Sequence, residues 1–155
     1  MSIKVVEGQF NAESHKVAVV VARFNDFITN KLLEGALDTF SRHAGKHENC
    51  VIYKVPGAFE IPIICQKIAA TQKFDGILAL GAVIRGATPH FDYVSSEVSK
   101  GVANVSLQTN TPIAFGVLTT ENIEQAIERA GTKAGNKGSD TMLGLIETID
   151  LYKKI

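Results

Sequence analysis

The sequence predicts an α/β domain: a four-stranded parallel sheet flanked by helices on both faces. Three observations carry this. Short apolar runs recur along the chain, and between them lie stretches whose apolar residues fall three and four apart. No repeat, low-complexity tract or charge block interrupts the alternation. The chain has 155 residues, which fits one domain of roughly 100–200.

The first strand is Lys16–Ala22, apolar on both faces as a strand between helix layers must be. Asp26 or Thr29 is the expected cap of the next helix, whose stripe is Leu33, Ala36, Leu37, Phe40 and Ala44, with Gly45 as its C′ residue. The second strand is Cys50–Val55, broken by Pro56-Gly57. A helix follows with Ile61, Ile64, Cys65, Ile68 and Ala69 inward, and Pro62 fits only its first turn. The third strand is Gly76–Val83. Thr88 then reads as N-cap and Pro89 as N1 of a long helix burying Val94, Val98, Val102 and Val105. Pro112 introduces a fourth strand, Ile113–Leu118. Thr120 reads as cap of a short helix with Ile123, Ala126, Ile127 and Ala130 inward, and Glu121 and Glu124 suit its first turn. Gly131–Gly138 reads as a loop, and the last helix carries Met142, Leu145, Ile146 and Ile149. Residues 1–15 stand outside this scheme. Ile3–Val6 resembles a strand with no partner in the chain, so the segment is either a loose arm or a strand added to another subunit.

Composition narrows the function classes. Lys+Arg and Asp+Glu are both 16, and a chain without net charge is a poor coat for nucleic acid or an anionic membrane. The longest strongly apolar stretch, Gly76–Ile84, falls short of the ~20 residues of a membrane span, which implies a soluble protein. The N-terminus has no signal-peptide core, so the expected location is cytoplasmic. Cys50 and Cys65 belong to no zinc-type spacing and read as buried thiols in a reducing compartment.

Open parallel sheets bind ligands beyond the carboxyl ends of their strands, so the loops there are the places to look. The richest is Gly81–His90, running from a strand into a helix start. Gly86 permits close approach of the backbone, and free N–H groups with the helix dipole suit an anion. The outline G-x-x-x-x-G resembles a P-loop, but Ala87 stands where the lysine should be, which excludes nucleotide hydrolysis. A plain glycine-rich connection is the alternative. His90 beside this anion site suits proton transfer near neutral pH, the alternative being a surface histidine without a role. His15, His43 and His47 read as arm or helix-end residues, and no second ligand near His90 implies a metal. Arg129 is either a phosphate clamp or a cation complementing a helix end, and Lys137 has the same two readings. Phe24 and Phe59 sit on carboxyl-end loops, where aromatic rings suit a flat stacking partner as well as ordinary loop packing. Glu60 either accepts hydrogen bonds from hydroxyls or complements a helix N-terminus.

Five segments together resemble the 6,7-dimethyl-8-ribityllumazine synthase family: Ala22–Asn25, Val55–Pro62 (VPGAFEIP), Gly81–Asp92 (GAVIRGATPHFD), Phe115–Thr120 and Arg129–Gly131. The resemblance covers nearly the whole chain. It implies a flavodoxin-like three-layer sandwich, with 1–15 as an arm adding to a neighbouring subunit and 16–155 as the single catalytic domain. It implies condensation of 5-amino-6-(D-ribitylamino)uracil with 3,4-dihydroxy-2-butanone 4-phosphate, in riboflavin biosynthesis, without metal or organic cofactor. Carried over by position, Phe24 stacks on the pyrimidine, and Ala58, Phe59 and Glu60 hold ring and ribityl chain. Ala82, Val83 and Ile84 offer backbone groups to the pyrimidine edge. Gly86, Ala87 and Thr88 cradle the phosphate, and His90 transfers protons. Phe115 and Arg129 come from the neighbouring subunit, with Lys137 assisting at the phosphate. The implied partners are further copies of the chain, as a pentamer and in preference a 60-subunit icosahedral shell, and riboflavin synthase.

Other readings remain open from sequence. An archaeal-type riboflavin synthase would not need both Thr88 and Arg129. A shell protein with a silent site would not need turnover. A flavin carrier would need a phosphate loop after the first strand, which Arg23–Asp26 is not.

Overall fold

A computed structural model describes residues 1–132 and 135–155. β1 (Val17–Ala22) is followed by α1 (Asp26–Arg42), β2 (Cys50–Val55), α2 (Ile61–Ala70), β3 (Gly76–Ile84), α3 (His90–Thr109), β4 (Ile113–Thr120) and α4 (Ile123–Arg129). A two-stranded hairpin, β5 (Ala130–Thr132) and β6 (Gly135–Asn136), leads to α5 (Lys137–Lys154).

The main sheet is parallel with order β2-β1-β3-β4. Alternation along each strand sends side chains to two separate cores. Val17, Val19, Val21, Leu78, Leu80 and Leu118 meet Ile28, Leu32 and Phe40 of α1, Ala126 of α4 and Met142, Leu145, Ile146 and Ile149 of α5. Ala18, Val20, Ile77, Ala79, Val83 and Val117 meet Ile61, Cys65 and Ile68 of α2 and Phe91, Val98, Val102 and Val105 of α3. The result is the expected flavodoxin-like sandwich: α1, α4 and α5, then the sheet, then α2 and α3. Burial lifts the pKa of the Cys65 thiol to about 12 and raises that of half-buried Cys50, which disfavours the thiolate form of both.

The helix ends differ from the sequence reading in instructive ways. Neither Asp26 nor Thr29 caps α1; Asn25 does, in the left-handed region at φ 62°, and Thr29 is buried with its hydroxyl unpaired. At the other end Ala44, not Gly45, holds the left-handed C′ position, at φ 69°. The Gly45 N–H closes the motif on the Phe40 carbonyl at 2.8 Å, and glycine is required there because a Cβ would collide with the Phe40 ring. α3 starts one residue later than the Thr88 reading, with Pro89 as N-cap and His90 as its first residue. Thr120 ends β4, and Asn122 caps α4 by accepting from the Gln125 N–H at 2.8 Å. Ile123 is exposed rather than inward, and Glu121 lies ahead of the helix. Gly131–Gly138 is not a plain loop: the hairpin occupies part of it and α5 begins at Lys137, capped by Asn136. The middle of that segment, 133–134, lies outside the described residues.

The first fifteen residues fall into two halves. Met1 to Val6 are exposed. The remainder lies on its own protomer: the Gln9 N–H donates to Asp150 at 2.7 Å, Lys154 donates to the Glu7 carbonyl at 3.0 Å, and the Ala12 N–H donates to the His43 carbonyl at 2.7 Å. His15, read above as an arm residue, is 2% exposed. No described helix is long and apolar enough to cross a membrane.

Candidate active site

The strand order reverses direction between β1 and β3, because the chain leaves β1 for β2 on one side and returns to β3 on the other. At such a switch point the loops beyond the carboxyl ends splay apart and leave a crevice. A cavity of ≈ 720 Å³ opens there.

Four stretches line it. The β1–α1 loop supplies Phe24 and Asn25, the β2–α2 connection Pro56 to Glu60, the end of β3 Ala82, Val83 and Ile84, and the β3–α3 connection with the start of α3 Gly86, Thr88, His90, Phe91, Tyr93 and Val94. Phe24 is 71% exposed and Phe59 59%, and both line the cavity. Ala58–Glu60 form a 3₁₀ turn that hands the chain to α2 and leaves Glu60 half-buried at the cavity wall, without a side-chain capping bond. His90, in the first turn of α3, is exposed, and its side chain makes no hydrogen bond among the described residues. Gly86 has open space around it, so the backbone there is accessible.

Ten of the residues expected from sequence thus meet in one cavity: Phe24, Ala58, Phe59, Glu60, Ala82, Val83, Ile84, Gly86, Thr88 and His90. Ala87 lies between Gly86 and Thr88 without lining it. Phe115, Arg129 and Lys137 stand elsewhere in the protomer. Phe115 lies on the edge strand β4, paired with Ala79 of β3 and half-buried on the α2–α3 side. Arg129 is exposed at the end of α4. Lys137 is the first residue of α5, not a loop residue. The hairpin pairs Ala130 with Asn136, which sets Arg129 and Lys137 side by side just outside its ends. The helix dipole favours Arg129 where it stands and disfavours Lys137, so the dipole accounts for one of the two cations only.

Sequence reasoning missed Asn25, Pro56, Gly57, Phe91, Tyr93 and Val94. Tyr93 was legible as the residue three after His90 on the same helix face. Asn25 was legible as a residue tolerant of left-handed backbone between a strand and a helix. Its amide donates to the Ala82 carbonyl at 2.9 Å and ties the first loop to the end of β3. Among the described residues no cluster of His, Cys, Asp or Glu could hold a metal.

Fold and cavity together define an α/β protein with a candidate small-molecule site at its switch point, lined by aromatic rings and exposed backbone. Residues 14–153 match the model of the 6,7-dimethyl-8-ribityllumazine synthase family. Relatives named 6,7-dimethyl-8-ribityllumazine synthase are 59% identical over 99% of both chains in Chlorobium phaeovibrioides and 57% identical over the whole of both in Chlorobium luteolum. Another, from Lawsonia intracellularis, is 56% identical over 99% of this chain and 98% of its own. The chain belongs to the 6,7-dimethyl-8-ribityllumazine synthase family, a family of enzymes of riboflavin biosynthesis.

Proposed function

We propose that the protein condenses 5-amino-6-(D-ribitylamino)uracil with 3,4-dihydroxy-2-butanone 4-phosphate to give 6,7-dimethyl-8-ribityllumazine, phosphate and two waters. The single observation that carries this reading is the shared cavity: exposed aromatic rings, a carboxylate and a histidine lie around one crevice, with open backbone beside a helix start.

The pyrimidine stacks on Phe24 and takes hydrogen bonds from the backbone of Ala82–Ile84. Ala58 and Phe59 wall the ring and ribityl chain, and Glu60 accepts from ribityl hydroxyls. The phosphate lies on Gly86, Ala87 and Thr88, where free N–H groups and the α3 dipole favour an anion. The 5-amino nitrogen attacks the ketone and water leaves, giving an imine. Loss of a proton from the adjacent carbon expels phosphate and leaves an enol, which tautomerises to a carbonyl. The ribitylamino nitrogen closes on that carbonyl and the second water leaves. His90 carries protons in these steps, and holding both substrates together removes much of their entropic cost.

A phosphate held only by N–H groups lacks a cation, and Arg129 and Lys137 stand outside the protomer's own cavity. We therefore place them, with Phe115, at the cavity of a neighbouring subunit, which requires an oligomer; the resemblance to the family makes it a pentamer, in preference assembled into a 60-subunit shell in the cytoplasm. Residues 1–6 supply the arm that reaches a neighbour. Riboflavin synthase is the proposed consumer of the product.

The test is to mix the purified protein with both substrates and follow fluorescent lumazine and released phosphate. One phosphate per lumazine above the uncatalysed rate supports the reading. No rate above background from an assembled particle refutes it. Light scattering separates shell from pentamer.

A further inference from the structure

Arg85 stands directly before Gly86 and has no part in the reaction as written. Its backbone N–H donates to the Thr120 carbonyl at 2.9 Å, prolonging the β3–β4 ladder past the end of β3. Its guanidinium then makes three contacts. Nε donates to Glu121 Oε2 at 2.7 Å, Nη1 lies 3.2 Å from Asp92 Oδ1, and the guanidinium carbon stands 4.4 Å from the centre of the Phe91 ring.

The stretch that follows has no such anchors. Among the described residues, no backbone or side-chain hydrogen bond begins or ends on Gly86, Ala87 or Thr88, and a Cβ on Gly86 would touch nothing. The shape of this stretch rests on its two flanks. Arg85 belongs to one flank and Asp92 and Phe91 to the other, so a single guanidinium joins both ends, and Glu121 ties that junction to the start of the β4–α4 connection.

A cradle of free N–H groups binds an anion well only if the donors are in place beforehand, since ordering them on binding would cost affinity. We infer that Arg85 is the positioning residue of the phosphate cradle, acting through Asp92, Phe91 and Glu121 and not by touching the phosphate. Two carboxylates already engage its charge. Lysine is a poor substitute, because one ammonium cannot face both carboxylates and lie flat on a ring.

The inference rests on the phosphate site of the proposed reaction, so its test includes a readout that needs no substrate. In the assembled full-length protein, hydrogen exchange is measured at the Asp92 amide, which donates to the Pro89 carbonyl at 3.0 Å. Arg85→Ala speeds that exchange about tenfold or more and Arg85→Lys by less, with mid-α3 amides unchanged. Titration with inorganic phosphate shows affinity weakened by about tenfold in Arg85→Ala, and the KM for the butanone phosphate rises by the same factor while that for the pyrimidine stays within about twofold. Weakened phosphate binding with unchanged exchange makes Arg85 a direct ligand and overturns the inference. Unchanged phosphate affinity reduces the cluster to surface ion pairs and overturns it equally. Wild-type protein that forms no lumazine removes the proposed reaction, and exchange and phosphate titration still decide on the clamp.

Discussion

Asn25 and Ala82 are joined by a 2.9 Å hydrogen bond from the side-chain amide to the backbone carbonyl, across the switch point between β1 and β3. The bond places Phe24 opposite the Ala82–Ile84 edge, and the φ of 62° at Asn25 turns the chain into α1 at the same point. Asn25→Gly keeps the backbone and loses the bond; Asn25→Ala loses the bond and adds strain of about 1–2 kcal/mol. Denaturant unfolding orders the variants wild type, Gly, Ala, and steady-state kinetics give both a higher KM for the pyrimidine. Equal stability of the two variants would remove the backbone argument.

His90 is proposed to carry protons in a condensation that is intrinsically feasible. Its replacement by Ala slows turnover roughly 10–100-fold, less than loss of an acid–base group often costs. Lumazine fluorescence at saturating substrates measures this. An enzyme with no detectable turnover would show that His90 does more than move protons.

Arg129 and His90 are proposed to serve one site from two subunits. Arg129→Ala raises the KM for the phosphate substrate. Reassembling Arg129→Ala chains with His90→Ala chains in equal amounts restores about a quarter of the sites, since each site then draws two different surfaces from two chains at random. Activity no higher than the mean of the parents would place both residues on one subunit.

His15 makes stability depend on pH. Burial lowers its pKa below the ordinary 6.5, Lys153 lowers it further, and Asp75 and Asp150 oppose the shift. Above the unfolded value both states are neutral and the full stability is present. As pH falls below 6.5 the unfolded chain gains a proton that the folded chain resists, so stability is lost. Urea midpoints therefore drop between pH 7 and 5, and His15→Gln flattens the drop. A slope unchanged in that variant would assign the acid sensitivity elsewhere.

Gly138 lets α5 lie against α1, because a Cβ there would overlap the Leu32 carbonyl. Gly138→Ala destabilises by about 1–3 kcal/mol, the usual cost of overpacking. Thermal unfolding measures it. A midpoint equal to wild type would mean that the helices part without cost.

The alternation of apolar runs and helical stripes was sufficient for the layers, the strands and the list of candidate loops, because burial on both faces leaves its mark at every position of β1 and nearly all of β3. Phe24 and Phe59 were legible as apolar rings placed on carboxyl-end loops, and Glu60 and His90 as polar residues beside helix starts on the same loops. Three decisions needed the tertiary structure. Strand order β2-β1-β3-β4 put the four lining stretches around one crevice, and local pattern says nothing of which strands are neighbours. Helix starts moved to Asn25, Pro89, Asn122 and Asn136 because capping depends on backbone angles that sequence constrains only weakly. Arg85 escaped notice because its partners are seven and thirty-six residues away, and only folding brings Asp92 and Glu121 to one guanidinium.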